Sequence, residues 1–219
     1  MWRWVGLLAV WMLFFPFGSR RYTAPHTSHL LVIGNSITRH PPSEALGWPG
    51  DWGMAATTWE KDWVHCLVVR MPEDTALTIL RGYAPDLTAT VDALEGKVRS
   101  HRASVVVIQL GDNMGAADAN DESLYQPMVR LIEAAFESRR HAQVIVLGTW
   151  GADDVRNELL RRVAEDGDAA FVPIHDLATR PNHRAWEQGV FDKPMVGWHP
   201  SDLGMAAIAD RVADELGYE

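Results

Sequence analysis

The run Ser104-Val105-Val106-Val107-Ile108-Gln109-Leu110 sets the narrowest limits on what this chain can fold into. Its apolar, mostly branched side chains fall on both parities, so a strand here has no face to offer water. Strands of that kind belong to parallel sheets covered on both sides by helices, because a sheet with one wet face alternates instead. Shorter apolar runs at 28–33, 76–80, 144–147 and 169–174 read as four further strands. Helical spacing fills the intervals. Trp52, Ala55, Ala56, Trp59, Trp63 and Cys66 share one side of a helix that Pro72 stops, and Val91, Leu94 and Val98 face inward from a helix over 87–98. Further helices are expected over 123–139, with its start shortened by Pro127, over 155–163, and over 201–216, capped by Ser201 and ended by Gly217. Alternation of this kind predicts an α/β protein, a three-layer α/β/α sandwich around a mainly parallel five-stranded sheet.

One composition shift interrupts the 219 residues. Arg3 precedes an apolar run over 4–17 and Gly18-Ser19-Arg20-Arg21 follows it, so residues 1–21 read as a signal peptide or as a short N-terminal membrane anchor. The run is short for a bilayer crossing and has no clean small-x-small cleavage site after it, which leaves both readings open. Either one predicts an exported protein, periplasmic or extracellular; the second adds attachment to the inner membrane. Residues 28–219 then form a single domain. The formal net charge is −9 and the basic residues are scattered, which excludes the cationic stripe that nucleic acid requires. Cys66 is the only cysteine, so an intrachain disulfide and a thiolate metal cluster are both excluded. Its apolar helical setting reads as that of a packed thiol. His40, His65, His175 and His183 lack a tight ligand spacing, and no metal or other cofactor is expected.

In sheets of this class ligands collect beyond the carboxyl ends of the strands. Gly34-Asn35-Ser36-Ile37-Thr38 leaves the first strand there, and a serine hydroxyl at that mouth can attack a carbonyl if a base lies beside it. Gly111-Asp112-Asn113 leaves the central strand, where the Asn113 amide can donate to a developing oxyanion. Gly197-Trp198-His199-Pro200-Ser201 precedes the last helix, and a neutral His199 can take the serine proton and return it to a leaving alcohol. Gly53, at the opening of the helix read from Trp52, could add a backbone donor to those of Ser36 and Asn113. Taken singly, Ser36 is equally a turn former, Asn113 a loop cap, His199 a structural histidine, and Gly53 a relief of close packing. Ser36, Asn113 and His199 on three strand-connected loops make coincidence less attractive.

Together these segments resemble the SGNH branch of the GDSL esterase and lipase superfamily over most of the chain after residue 28. The resemblance rests on Gly34-Asn35-Ser36-Ile37-Thr38, with asparagine where many members carry aspartate, on Gly53, on Gly111-Asp112-Asn113, and on His199-Pro200-Ser201-Asp202-Leu203-Gly204. It implies a flavodoxin-like SGNH hydrolase fold, Ser36 as nucleophile, oxyanion donors at Ser36, Gly53 and Asn113, and His199 as general base. One departure matters. The family commonly places an aspartate three residues before the histidine, and Val196 stands there. Asp192 is the expected substitute, with Asp202 a poorer one; a backbone carbonyl holding the imidazole would leave a Ser-His dyad.

The resemblance covers carbohydrate esterases, lipases, thioesterases and sugar O-acetyltransferases. Export and the tryptophans Trp48, Trp52, Trp150 and Trp198 favour a short acyl group on a saccharide, with Trp52, Trp150 and Trp198 as substrate-binding residues. Two alternatives stand beside the hydrolase: a polysaccharide O-acetyltransferase, and a catalytically silent carbohydrate-binding or envelope-assembly protein.

Overall fold

The computed structural model describes residues 29–82, 86–115 and 121–218. Its strands are β1 (His29–Gly34), β2 (Ala76–Arg81), β3 (Val105–Gln109), β4 (Gln143–Leu147) and β5 (Ala170–Val172). They form one sheet in the order β2-β1-β3-β4-β5, and every pairing is parallel. The helices are α1 (Trp63–Val68), α2 (Leu87–His101), α3 (Glu122–Ser138), α4 (Asp154–Asp166), α5 (Pro194–Gly197) and α6 (Asp202–Leu216).

All five residues of β3 are buried, as its unbroken apolar run requires. Successive residues serve different layers. Leu30, Val32, Val105, Val107 and Ile145 pack with Val64 and Leu67 of α1 and Met205, Ile208 and Val212 of α6. Leu31, Ile33, Val106, Ile108 and Val144 turn to the other face, against Leu94 and Val98 of α2, Leu131 of α3 and Leu159 of α4. Each fully buried aliphatic side chain in these layers stabilises the fold by about 1.5–3 kcal/mol before entropy is counted.

Two expected elements differ. The long helix from Trp52 is only a 3-10 turn over Trp59–Lys61 followed by α1. Ala55 is in the left-handed region at φ 76, which no helix interior accepts, and Asp62 caps the true start by accepting from the His65 N–H at 2.8 Å. Pro127 does not shorten α3; it sits inside that helix, buried. One turn from the start, its ring deprives only an early carbonyl of an intrahelical partner. Cys66 is half-buried on α1, and burial pushes its thiol pKa up, in keeping with a packed thiol. Residues 1–21, read as signal or anchor, lie outside the described residues.

The topology fixes where a ligand can sit. From β1 the chain crosses to the edge at β2, then returns past β1 to β3, so the sheet order reverses between β1 and β3. The crevice at their carboxyl ends is flanked by the exits that carry Ser36 and Asn113.

Candidate active site

Ser36 and His199, 163 positions apart, meet in that crevice with Oγ and Nε2 at 2.7 Å. The turn after β1 is closed by the Thr38 and Arg39 N–H groups, both donating to the Asn35 carbonyl at 2.9 Å. His199 follows the single-turn helix α5, two residues past its end, and Ser201, fully buried, then caps α6 by accepting from the Gly204 N–H at 3.1 Å. The segment is pinned further where the Ser201 N–H donates to the His183 carbonyl at 2.8 Å.

The other imidazole nitrogen corrects the sequence reading. Nδ1 of His199 lies 2.9 Å from the Met195 carbonyl, so a backbone oxygen, not Asp192, occupies the orienting position. The reason is α5: one helical turn brings the carbonyl of residue 195 under the ring of residue 199, while Asp192 is left exposed on the strand of chain before it. Asp202 is committed elsewhere, accepting from the Thr57 N–H at 2.8 Å, the Thr57 hydroxyl at 2.7 Å and Lys61 Nζ at 2.8 Å. Val196 fills its place for good cause, since it is buried in an apolar cluster with Trp48, Met54, Ala55 and Ala185. A carbonyl acceptor demands Nδ1–H and so leaves the Nε2 lone pair facing Ser36, the tautomer a general base needs. Burial drives the His199 pKa down to about 4, against a smaller upward pull from the Met195 hydrogen bond. The ring is therefore neutral at ordinary pH.

A cavity of about 170 Å³ opens at this pair, and Ser36, His199, Asn113, Arg39, His40, Arg81, Gly82 and Met195 line it. A larger cavity, about 430 Å³, lies at the amino ends of β4 and β5 beside Gln143 and Ala170 and contains none of the strand-exit residues. Asn113 is exposed at the rim, within the same cavity as the Ser36 hydroxyl. Its loop is held by a partly buried relay. Thr38 Oγ1 donates to Gln109 Oε1 at 3.2 Å, and Gln109 Nε2 donates to Asp112 Oδ2 at 2.9 Å. Asp112 Oδ1 accepts from the backbone N–H groups of Trp150 at 2.9 Å and Gly151 at 3.1 Å. The exits of β1, β3 and β4 are thus tied together. Burial raises the Asp112 pKa to about 6 despite these donors.

Gly53 is not among the residues around the cavity. Its N–H donates to Asp62 Oδ2 at 3.2 Å, which removes it from any oxyanion hole in this structure. A Cβ at this position would lie 2.6 Å from the Ile37 carbonyl oxygen and 2.9 Å from Asp62 Cβ, so glycine is there for close packing. The exit of β2, at Arg81 and Gly82, faces the cavity instead. That position was legible in principle: the strand-exit rule applied to the run at 76–80 points straight at it. Arg39, His40 and Met195 carried no comparable signal.

The expected substrate-binding tryptophans separate. Trp150 is fully buried in the core, with Nε1 donating to the Trp198 carbonyl at 2.9 Å, and has no surface for a ligand. Trp198 is half-buried and packs edge-on against the His199 ring at 5.3 Å, supporting the histidine from outside the Ser36 cavity. Trp52 is half-buried beside a neighbouring cavity, in edge contact with the buried Trp48 at 5.5 Å.

The model of the GDSL-like lipase/acylhydrolase family matches residues 32–207, a span that holds Ser36, Asn113 and His199. The chain belongs to that family. Its fold agrees. The psychrotrophic esterase EstA from Pseudoalteromonas sp., in a structure inhibited by monoethylphosphonate, superposes at a TM-score of 0.59 with 14% identity, covering 87% of this chain and 97% of that chain. LAE5, a hydrolase from the metagenome of Lake Arreo, gives 0.60 with 19% identity over 87% of this chain and 95% of that chain. A catalytic mutant of the acetylxylan esterase Axe2 from Geobacillus stearothermophilus gives 0.54 with 18% identity over 88% of this chain and 95% of that chain. No curated protein sequence matches the chain. As a member of the GDSL-like family with this fold, the protein is a carboxylic ester hydrolase of the SGNH type.

Proposed function

We propose that the protein removes short acyl groups, acetyl foremost, from a carbohydrate, with Ser36 as nucleophile and His199 as its base. The observation that carries this reading is the 2.7 Å contact between Ser36 Oγ and His199 Nε2 at the mouth of a 170 Å³ cavity. That volume is well below the roughly 300–1,000 Å³ of sites that enclose a drug-sized ligand, and it suits a short acyl chain. The silent binding protein would have no use for such convergence. Kinship of fold with an acetylxylan esterase supports a saccharide as the alcohol portion of the ester.

In the first step the Ser36 oxygen bonds to the ester carbonyl carbon as its proton passes to His199 Nε2. Negative charge moves to the carbonyl oxygen, where the Ser36 backbone N–H and the Asn113 amide stabilise it. The C–O bond to the sugar breaks, and His199 returns the proton to the departing hydroxyl. Water then attacks the acyl-serine carbon, giving its proton to the same nitrogen; the bond from that carbon to Ser36 Oγ breaks, His199 returns the proton to Oγ, and the carboxylic acid departs. Residues 1–21 belong to this reading as the signal or anchor that delivers the enzyme to envelope or extracellular saccharides, the latter mode tethering it to the membrane. The test is acetate release from a panel of acetylated saccharides: wild type releases acetate and Ser36→Ala is slower by roughly 10³-fold or more. Equal release by the variant refutes the mechanism.

A further inference from the structure

A second cavity, of about 330 Å³, adjoins the catalytic one, and Arg39 lines both. Trp52, Trp59, Asp51, His65 and the β2 side chains Leu77 and Ile79 complete its walls. Acyl transfer uses none of these groups. Trp59 is 51% exposed, a large apolar surface for a soluble face to leave in water. Trp52 spends its Nε1–H on the Ala56 carbonyl at 2.9 Å, which leaves its ring, not its polar end, for a ligand. Between ring and catalytic mouth stands an exposed ion pair: Arg39 Nε to Asp51 Oδ1 at 3.0 Å and Nη2 to Oδ2 at 2.6 Å. A guanidinium and a carboxylate joined this way keep further donors and lone pairs for a third party.

One buried carboxylate holds both tryptophan-bearing segments. Asp62 is fully buried and accepts from the Gly53 N–H at 3.2 Å, the His65 N–H at 2.8 Å and His65 Nδ1 at 2.8 Å. Gly53 is the residue after Trp52. The His65 ring meets the Trp59 ring edge-on at 4.8 Å. Burying a carboxylate is costly unless its partners are firm, and these partners spend that firmness on orienting an exposed aromatic wall. A surface ordered before its ligand arrives binds with a smaller entropic loss.

We infer that this cavity is a saccharide subsite, in which Trp59 and Trp52 pack on the C–H surface of a pyranose and the Arg39–Asp51 pair binds its hydroxyls. Because Arg39 belongs to both cavities, a sugar held there directs an acyl substituent toward Ser36. This assignment rests on the reading of Ser36 as the site of saccharide deacylation and locates the saccharide that reading requires. The test titrates ester-free β-1,4-linked tetrasaccharides of xylose, glucose and N-acetylglucosamine into full-chain Ser36→Ala protein by calorimetry. At least one tetrasaccharide binds, adding Trp59→Ala weakens it by about ten-fold or more, and Trp59→Phe recovers most of the loss. Absence of binding by every tetrasaccharide, or equal binding with Trp59→Ala, overturns the subsite. Acetate release by the wild type, measured alongside on the acetylated forms, separates the two readings. Ser36-dependent release with binding indifferent to Trp59 rejects the subsite alone; Trp59-dependent binding without release rejects the hydrolysis and retains the subsite.

Discussion

Burial and a hydrogen bond to the Met195 carbonyl push the proton affinity of His199 in opposite directions, and burial wins, leaving the pKa at about 4. A base is competent only when unprotonated, so kcat/KM should hold down to mildly acidic pH and fall below about pH 4. A pH–rate profile on a small aryl acetate checks this, and an acidic limb at 6.5 or above would show a carboxylate partner at work in solution. The same geometry makes Asp192 dispensable. Asp192→Ala should retain kcat/KM within about two-fold, whereas removal of a true orienting acid costs roughly 10⁴-fold. The carbonyl fixes the tautomer as well as a carboxylate does. It supplies no negative charge to the imidazolium that forms in the transition state, so a slower chemical step is expected than in a full triad.

At the level of elements, the strands were legible because burial on both faces writes itself into residues as an unbroken apolar run; β1, β3 and β4 are all of that kind. Residues directly after such strands were legible too, since the strand end dictates where the backbone goes, and Ser36 and Asn113 do line one cavity. The stretch from Trp52 misled for a physical reason. Helical spacing of aromatics persists there, yet Ala55 in the left-handed region and the Asp62 cap break the helix, and neither leaves a pattern in hydrophobicity. That helix and the family resemblance both point to Gly53 as an oxyanion donor, whereas its N–H is held by Asp62. Trp150 followed a strand as Ser36 does but turned inward, a side-chain choice that the strand-exit rule does not govern. The partner of Nδ1 was least accessible of all: a main-chain carbonyl on a four-residue helix is available from any residue type.

For the molecule as a whole, the relay through Gln109 and Asp112 links the active crevice to global stability. Asp112 has its pKa raised from 3.8 to about 6, so its contribution to stability is complete below 3.8 and is lost as pH rises through 6. His199 has its pKa lowered from 6.5 to about 4, so its contribution is complete above 6.5 and is lost as pH falls through 4. The two slopes oppose each other between about pH 4 and 6. Denaturant unfolding of Asp112→Asn should therefore show stability climbing with pH from 4 to 6.5, by up to about 3 kcal/mol more than wild type, and His199→Gln should show the opposite trend relative to wild type. Parallel curves for all three proteins would dissociate these groups from the stability of the fold. The proposed activation of Ser36 by His199 is open to covalent capture: full-chain protein is treated with an activated alkylphosphonate, followed by mass spectrometry of its peptides. A single phosphonyl group on Ser36, formed by the wild type and absent in His199→Ala, is the predicted result; a label on a different residue, or one that forms equally fast without His199, contradicts it.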